Sequence, residues 1–490
     1  MNKIHEYLNA YRAKLGRCAP AEPAALAEKT ISQTGLREVM QSKAALCIYV
    51  LYMATISVAF NYHEPWRDEF QSWGQAAKMS SLGSFFVVRG EGHPPLFYWL
   101  LRIIQMFCGF EQGRYVMLAL GFINGLLITV GLRKNPVLLF MFLFSYPFVY
   151  FWAIFLRSYT LGVLFILIAV AFFQKRQIVL CAIALWLASF THFYFFFVIP
   201  IFVFEEFRQR RTIWLPALLA LPCLASLYDI YLSGAGNPNG QFDLRLPSLF
   251  MDYLNNSFMM GIFVDLGVIT AVPVIICLFW LFKDFWFGAA VSACILLFIL
   301  FSSLVYGGAY HHTGVVLLIL LTAFIIHTGQ VREKFLVWIM IMSVISGVIH
   351  LGYDMSNRYS NGTNIYPAIQ SEKLDQYKIF VLEDVIFTPS AQTYHVKYFS
   401  LPMSKEIDGI VDWSDYIHSI ERYRQTYEYA GRPETFVLVT MEEIKGRRKG
   451  PNQPLEVTDL CNQMKWDCRL VRTVDGAFWD NARIYKVTAQ

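Results

Sequence analysis

The chain has 490 residues, of which 56% are apolar, 17% aromatic and only 16% charged, with a mean hydropathy of +0.42. Charged residues make up about a quarter of soluble domains, so this balance excludes an ordinary soluble protein. The net charge of +5 points to no nucleic-acid partner, because the basic excess belongs to loops between apolar runs, as in the cytoplasmic loops of membrane proteins.

Residues 1–43 are polar and mixed in charge and read as a cytoplasmic tail with an amphipathic helix, one suited to lying on the membrane surface. The run Ala44 to Tyr62 lacks a small-residue cleavage pattern and reads as a permanent signal anchor rather than a cleaved signal peptide. An outward loop, 63–94, follows. Further apolar runs cover roughly 94–110, 113–132, 136–155, 158–173, 178–191, 193–207, 213–232, 258–282, 286–305, 313–328 and 335–352. The basic stretches at Lys175-Arg176, Glu205 to Arg211, Lys283-Asp284 and Arg332 to Lys334 should be cytoplasmic. That assignment puts Thr191-His192, the 233–257 loop, Tyr306 to His312 and everything after 353 outside. Parity then requires one run before Lys175 not to cross. The run 94–110 fits, being short, headed by Pro94-Pro95 and interrupted by Arg102. The membrane domain is expected to span 44–352 with about eleven crossings.

Residues 353–490 differ in kind. Ile379 to Leu382, Val385 to Phe387 and Thr435 to Val439 are strand-length runs, Asp412 to Gly431 reads as a helix, and Cys468 to Val487 as a hairpin turning at Asp475-Gly476. The expectation is a small extracytoplasmic α/β domain, without a glycine-rich phosphate loop. The cysteines form no zinc pattern. Cys461 and Cys468 are either two thiols or a disulfide. An unbroken helix would hold them about 10 Å apart, so a bridge requires a turn between them.

The chemistry concentrates near the outward ends of the segments. Asp68 and Glu69 lie side by side just beyond the first apolar run, and His93 stands before Pro94-Pro95 at the next membrane entry. Ionised groups beside a low-dielectric phase are costly. Arg157, Tyr159, His192, His311 and His312 fall on the same side. Each has a plain structural alternative: His192 as a cap, His311-His312 with Tyr310 as an interfacial anchor, Arg157 reaching for lipid headgroups. Their shared location points to a single cavity on a substrate path.

Trp66-Arg67-Asp68-Glu69, with Gly92-His93-Pro94-Pro95-Leu96-Phe97-Tyr98-Trp99-Leu100, resembles the first outward loop of GT-C glycosyltransferases. The likeness is to the branch of protein-O-mannosyltransferases and the lipid A aminoarabinose transferase, and Arg157-Ser158-Tyr159 resembles the Arg-x-Tyr that opens a membrane helix there. The likeness is good over 44–175, only architectural to 352, and absent beyond. It implies a polytopic α-helical membrane enzyme that moves a sugar from a polyprenyl-phosphate carrier, with inversion, to an extracytoplasmic glycan, lipid or protein acceptor. The setting would be a bacterial inner membrane with the active site facing the periplasm. By the same resemblance Asp68 is the base, Glu69 supports it or binds a metal, and Arg157, then Arg102, holds the donor phosphate. His93 would hold Asp68 or touch the donor, and His311-His312 stand where the family often has a basic residue or tyrosine. A divalent metal is compatible with the fold, but no dedicated motif is present. Glu69→Gln is expected to hurt less than Asp68→Asn. The rival readings are a non-enzymatic transporter or flippase, which usually shows internal repeats, and a glycan polymerase or ligase. The latter invests in an arginine-rich late outward loop, whereas 233–257 holds only Arg245 among basic residues.

Overall fold

The computed structural model describes residues 38–40, 42–79, 93–210, 218, 281–301, 312, 314–327, 332–356, 360–411, 416–441, 454–475 and 481–489. The N-terminal tail up to residue 37, much of the 63–94 loop, His311 and the 233–257 loop lie outside the described residues.

The helical part comprises α1 (Lys43–Tyr62), α2 (Arg67–Lys78), α3 (Leu96–Gln105), α4 (Phe110–Leu132), α5 (Pro136–Leu143), α6 (Ser158–Gln174), α7 (Ile178–Thr191), α8 (Ile199–Arg210), α9 (Phe285–Phe301), α10 (Gly314–Ile326) and α11 (Glu333–Ser356). Among the described residues α1, α4 and α11 are long and apolar enough to cross a membrane. Val50, Leu51, Val58, Val179 and Trp338 are exposed on helices of this part. Water would penalise such an apolar surface, whereas lipid would not. The ten residues of α3 rise only about 15 Å, half of a hydrocarbon core of about 30 Å. The eleven expected crossings run over residues outside those described.

The run 136–155 is not one straight span. α5 and the segment Pro147–Ile154 meet at a 63° bend. Pro147 has no N–H to continue the helical ladder. The Tyr146 amide at the break donates instead to Ser343 Oγ of α11, 3.3 Å away. One end of the bundle is basic: Arg133 pairs with Glu38, Arg208 with Glu205 and Asp284, and Lys175-Arg176 joins α6 to α7. The other end carries α2.

The C-terminal part contains α12 (Ile365–Ser371), β1 (Ile379–Val381), α13 (Asp384–Tyr394), β2 (Tyr398–Ser400), β3 (Lys405–Ile407), α14 (Ile420–Tyr429), β4 (Thr435–Met441), α15 (Val457–Met464), β5 (Trp466–Val474) and β6 (Ala482–Ala489). They form one sheet in the order β3-β2-β1-β4-β6-β5, with β2, β1 and β4 parallel and the outer pairings antiparallel. Both faces are covered, so the central strands are apolar without alternation. Ile379, Val381, Val437 and Val439 pack on one face, and Phe380, Leu382, Phe436 and Leu438 on the other.

Two expectations need correction. Val385 to Phe387 is not a strand but the start of α13, because a parallel neighbour such as β2 is reached only through a crossover, usually helical. Within the expected helix 412–431, Ser419 supplies the N-cap by accepting from Arg422 N and the helix occupies 420–429, residues 412–415 lying outside those described. The two strands of the hairpin, as well as β1 and β4, stand where the sequence placed them, while the turn from Gly476 lies outside the described residues. Cys461 and Cys468 are bridged across 6.3 Å of Cα separation, and the required turn is Lys465, left-handed at φ 58°.

Asp384 is fully buried at the head of α13 and accepts a 2.7 Å hydrogen bond from Ser400 Oγ. Burial pushes its carboxyl up to about 7, against the hydrogen bond from Ser400 that pulls it down. An unfolded aspartate titrates near about 3.9. Between these values only the folded state keeps the proton, so this group's contribution to stability falls as pH rises from about 4 to about 7. Asp384→Asn should flatten that part of the melting-temperature profile of the whole protein. Parallel profiles for variant and wild type would refute the shift.

Candidate active site

Glu69 sits three residues after Trp66, which caps α2, and its carboxylate reaches back to the cap. Oε2 accepts from Trp66 N at 2.7 Å, and Oε1 accepts from Leu156 N at 2.7 Å. The first bond is the acidic half of a capping box. The second crosses to the residue before Arg157. Oε2 also meets His63 Nε2 at 3.0 Å, while His63 Nδ1 meets Asp354 Oδ2 of α11 at 3.1 Å. Tyr150 donates to the same Asp354 oxygen at 3.0 Å, and Arg114 donates to the His63 carbonyl at 2.9 Å. Glu69 is 0% and His63 3% exposed. Burial alone would raise the Glu69 carboxyl, but His63, Arg114 and the Trp66 amide outweigh it and hold it below its ordinary value.

Asp68 turns the other way. Its side chain is 30% exposed, with Oδ2 3.6 Å from Arg157 Nη2 and Oδ1 3.7 Å from Arg67 Nε. Arg157, at the N-cap of α6, also donates through Nη1 to Asp68 O and Ser72 Oγ, each at 3.3 Å. Beyond Arg157 lies a group of rings. His93 and His192 have centroids 4.9 Å apart, His192 and Tyr159 4.7 Å, His192 and Tyr194 4.8 Å, and Tyr194 and His312 4.6 Å. Desolvation, then the neighbouring Arg157 charge, pushes His93 down to about 3. It is therefore neutral and not a second cation. His192 Nδ1 accepts from Tyr194 N, which puts the ring proton on Nε2.

Asp68, Arg157, His93, Tyr159, His192 and His312 thus come together, from five separate stretches of chain. Arg102 does not join them through its described contact, which is with Gln105 at 3.5 Å. His311 lies outside the described residues. Among the described residues no three His, Cys, Asp or Glu gather closely enough to hold a metal ion. Both Glu69 oxygens are already committed, so Asp68 is the carboxylate of the pair open to a ligand. Sequence reading missed Arg67, Ser72 and Tyr194, and the whole His63–Asp354–Tyr150–Arg114 surround. Arg67 left a signal: an arginine in the first turn of a helix opposes the helix dipole and calls for another reason. Asp354 left none, being one acid at the end of a long apolar helix.

The C-terminal part holds α2 from outside. Gln71 and Gln75 donate to Val411 O at 2.8 and 3.0 Å, and Val411 N donates back to Gln71 Oε1 at 3.2 Å. Gly74 permits this approach, since a Cβ there would lie 2.8 Å from Gln392 Nε2 and 2.9 Å from Ile410 Cγ1.

No family model and no curated protein matches the chain. Among solved structures it is similar to ArnT from Cupriavidus metallidurans in the apo state, with a TM-score of 0.52 and 12% identity over 91% of this chain and 98% of that one. A second structure of that protein, bound to undecaprenyl phosphate, gives a TM-score of 0.49 at 12% identity, covering 90% and 97% of the two chains. ArnT is a lipid A aminoarabinose transferase with the GT-C fold. The likeness expected from the loop motifs is thus present at the level of fold.

At Gly162 of α6 a Cβ would run into the ring of Phe195, in the turn that carries Tyr194 beside His192. Gly162→Ala should therefore destabilise the detergent-solubilised protein by about 1–3 kcal/mol through overpacking. An unchanged unfolding midpoint would mean that this turn yields freely.

Proposed function

We propose that the chain is a membrane glycosyltransferase that moves a sugar, with inversion, from a polyprenyl-phosphate carrier to an acceptor outside the cytoplasm. The observation that carries this reading is the half-exposed Asp68 carboxylate set against the Arg157 guanidinium, on a GT-C fold, at the end of the bundle opposite Arg133, Lys175 and Arg208. Basic loops favour the cytoplasmic side. The Cys461–Cys468 bridge suits an oxidising compartment. Both support placing Asp68 and the C-terminal part on the periplasmic side of a bacterial inner membrane.

In this mechanism the acceptor hydroxyl gives its proton to Asp68 as its oxygen bonds the anomeric carbon. The carbon–oxygen bond to phosphate breaks on the opposite face, and the electron pair leaves with the lipid phosphate. Arg157, held beside Asp68 by its carboxylate and by Ser72, is the cation that would meet that developing charge, and Arg67 adds a second cation near Asp68. The rings of His93, Tyr159, His192 and His312 would flank the donor sugar. Glu69 takes no proton. It holds the two elements that carry Asp68 and Arg157. The acceptor is a glycan, lipid or protein presented from the periplasm.

Membranes containing the chain should transfer labelled sugar from a polyprenyl-phosphate donor. A transporter or flippase would relocate the donor without consuming it. Asp68→Asn should lower transfer by roughly 10²- to 10⁴-fold with normal folding. Arg157→Lys keeps the charge but loses the planar fork, and should weaken use of the donor. Glu69→Gln should differ in kind. It removes one partner of a buried charge pair, and such losses cost roughly 3–5 kcal/mol, so reduced yield of folded protein should accompany lost transfer. Near-normal transfer by Asp68→Asn would sink the base assignment.

A further inference from the structure

His63 lies between two buried carboxylates. One ring nitrogen is 3.0 Å from Glu69 Oε2 and the other 3.1 Å from Asp354 Oδ2. A neutral imidazole has one N–H, so it would turn a lone pair toward one of these oxygens. An imidazolium donates to both. A protonated His63 sets one positive charge directly between the two acids, whereas the nearby Arg114 is also paired with Glu111. The groups facing His63 are Glu69 from α2, Asp354 and, beyond it, His350 from α11, Tyr150 through Asp354, and Arg114 with its partner Glu111 from α4. Glu64, next in the chain, is bound to Thr363, and the Phe155 ring lies 4.1 Å away.

We propose that His63 is a positioning residue, held as an imidazolium between Glu69 and Asp354, that fixes Glu69 and through it the spacing of Asp68 and Arg157. The inference rests on the reading of Asp68 and Arg157 as the reacting pair. The linkage is short. Glu69 holds the first turn of α2 at Trp66 and the backbone just before Arg157 at Leu156. Without its counter-charge Glu69 must take up a proton or turn away, and the two elements lose their common anchor. Burial alone would push His63 down, but Glu69 and Asp354 together outweigh it and keep it above its ordinary value. The group's contribution is therefore complete below the ordinary histidine range and is lost as pH rises through the raised value.

Asp354→Asn removes one of the two acids and should bring that loss to lower pH. With the full-length protein in lipid bilayers, nitrogen-15 NMR of labelled histidine should show at pH 8 an imidazolium signal that is missing from His63→Gln. In Asp354→Asn the same signal should turn neutral at lower pH. Transfer by Asp354→Asn, measured per folded protein, should stay close to wild type near pH 6 and fall by up to about 10²-fold near pH 8, the loss typical of a small misplacement of reacting groups. If His63→Gln does not fold, Asp354→Asn carries the test. A neutral His63 in wild type at pH 8, or an Asp354→Asn profile parallel to wild type, overturns the proposal. The spectroscopic arm needs no sugar transfer: an imidazolium in a wild type that transfers nothing supports the clamp and sinks the transferase reading instead.

Discussion

A single buried carboxylate organises this molecule. Glu69 accepts from two backbone amides that are distant from each other in sequence and meets an imidazole that is itself tied to α11. An ionised carboxylate in such a place is tolerated only when its hydrogen bonds and counter-charges are complete. Completeness here requires α1, α2, α4, α11 and the segment before α6 to arrive in one arrangement. The exposed neighbour, Asp68, inherits a fixed position without having to be buried. Adjacent acids thus differ in surroundings, one buried and holding geometry, the other meeting solvent, Arg157 and Arg67.

The cation beside Asp68 is placed with the same economy. Arg157 caps a helix, so its backbone is set by the start of α6, and its side chain is set by Ser72 and Asp68. Apart from Tyr159 in α6, the surrounding rings come from segments that are not α-helical at that point. Irregular backbone at the depth of a bilayer is tolerated where it lines a cavity or is covered by protein. His192 and the turn Phe193–Val198 fit that rule, with Phe195 packed so closely that α6 must carry a glycine opposite it.

Much of this was legible in the residues. Hydropathy marks the membrane helices, and the Trp66-Arg67-Asp68-Glu69 and Gly92-His93-Pro94-Pro95 motifs mark the fold, which the neighbour at 12% identity shares. The half-length helix after Pro94-Pro95 and the strand pair on either side of Asp475 were readable from proline placement and strand-length runs. The bend at Tyr146–Pro147 was not, because its amide is satisfied by Ser343, nearly 200 positions later. Val385 to Phe387 misled because three apolar residues fit a strand and a helix equally, and sheet connectivity decided. That Glu69 is the buried acid of the pair was not legible, for a similar reason. Burial of one acid depends on His63 and Asp354, and local sequence carries no trace of a pairing across 291 positions.

The docking of α2 on Val411 also has a temporal side. The partners are separated by 340 residues, and ribosomes add roughly 5–20 residues per second. The helix bearing Asp68 therefore waits roughly 20–70 s after its own synthesis before the chain that clamps it exists. During that interval the nascent membrane protein carries its acidic loop without its outer support. Support of the helix that carries Asp68 thus waits on late synthesis, and a chain released before Val411 would lack it.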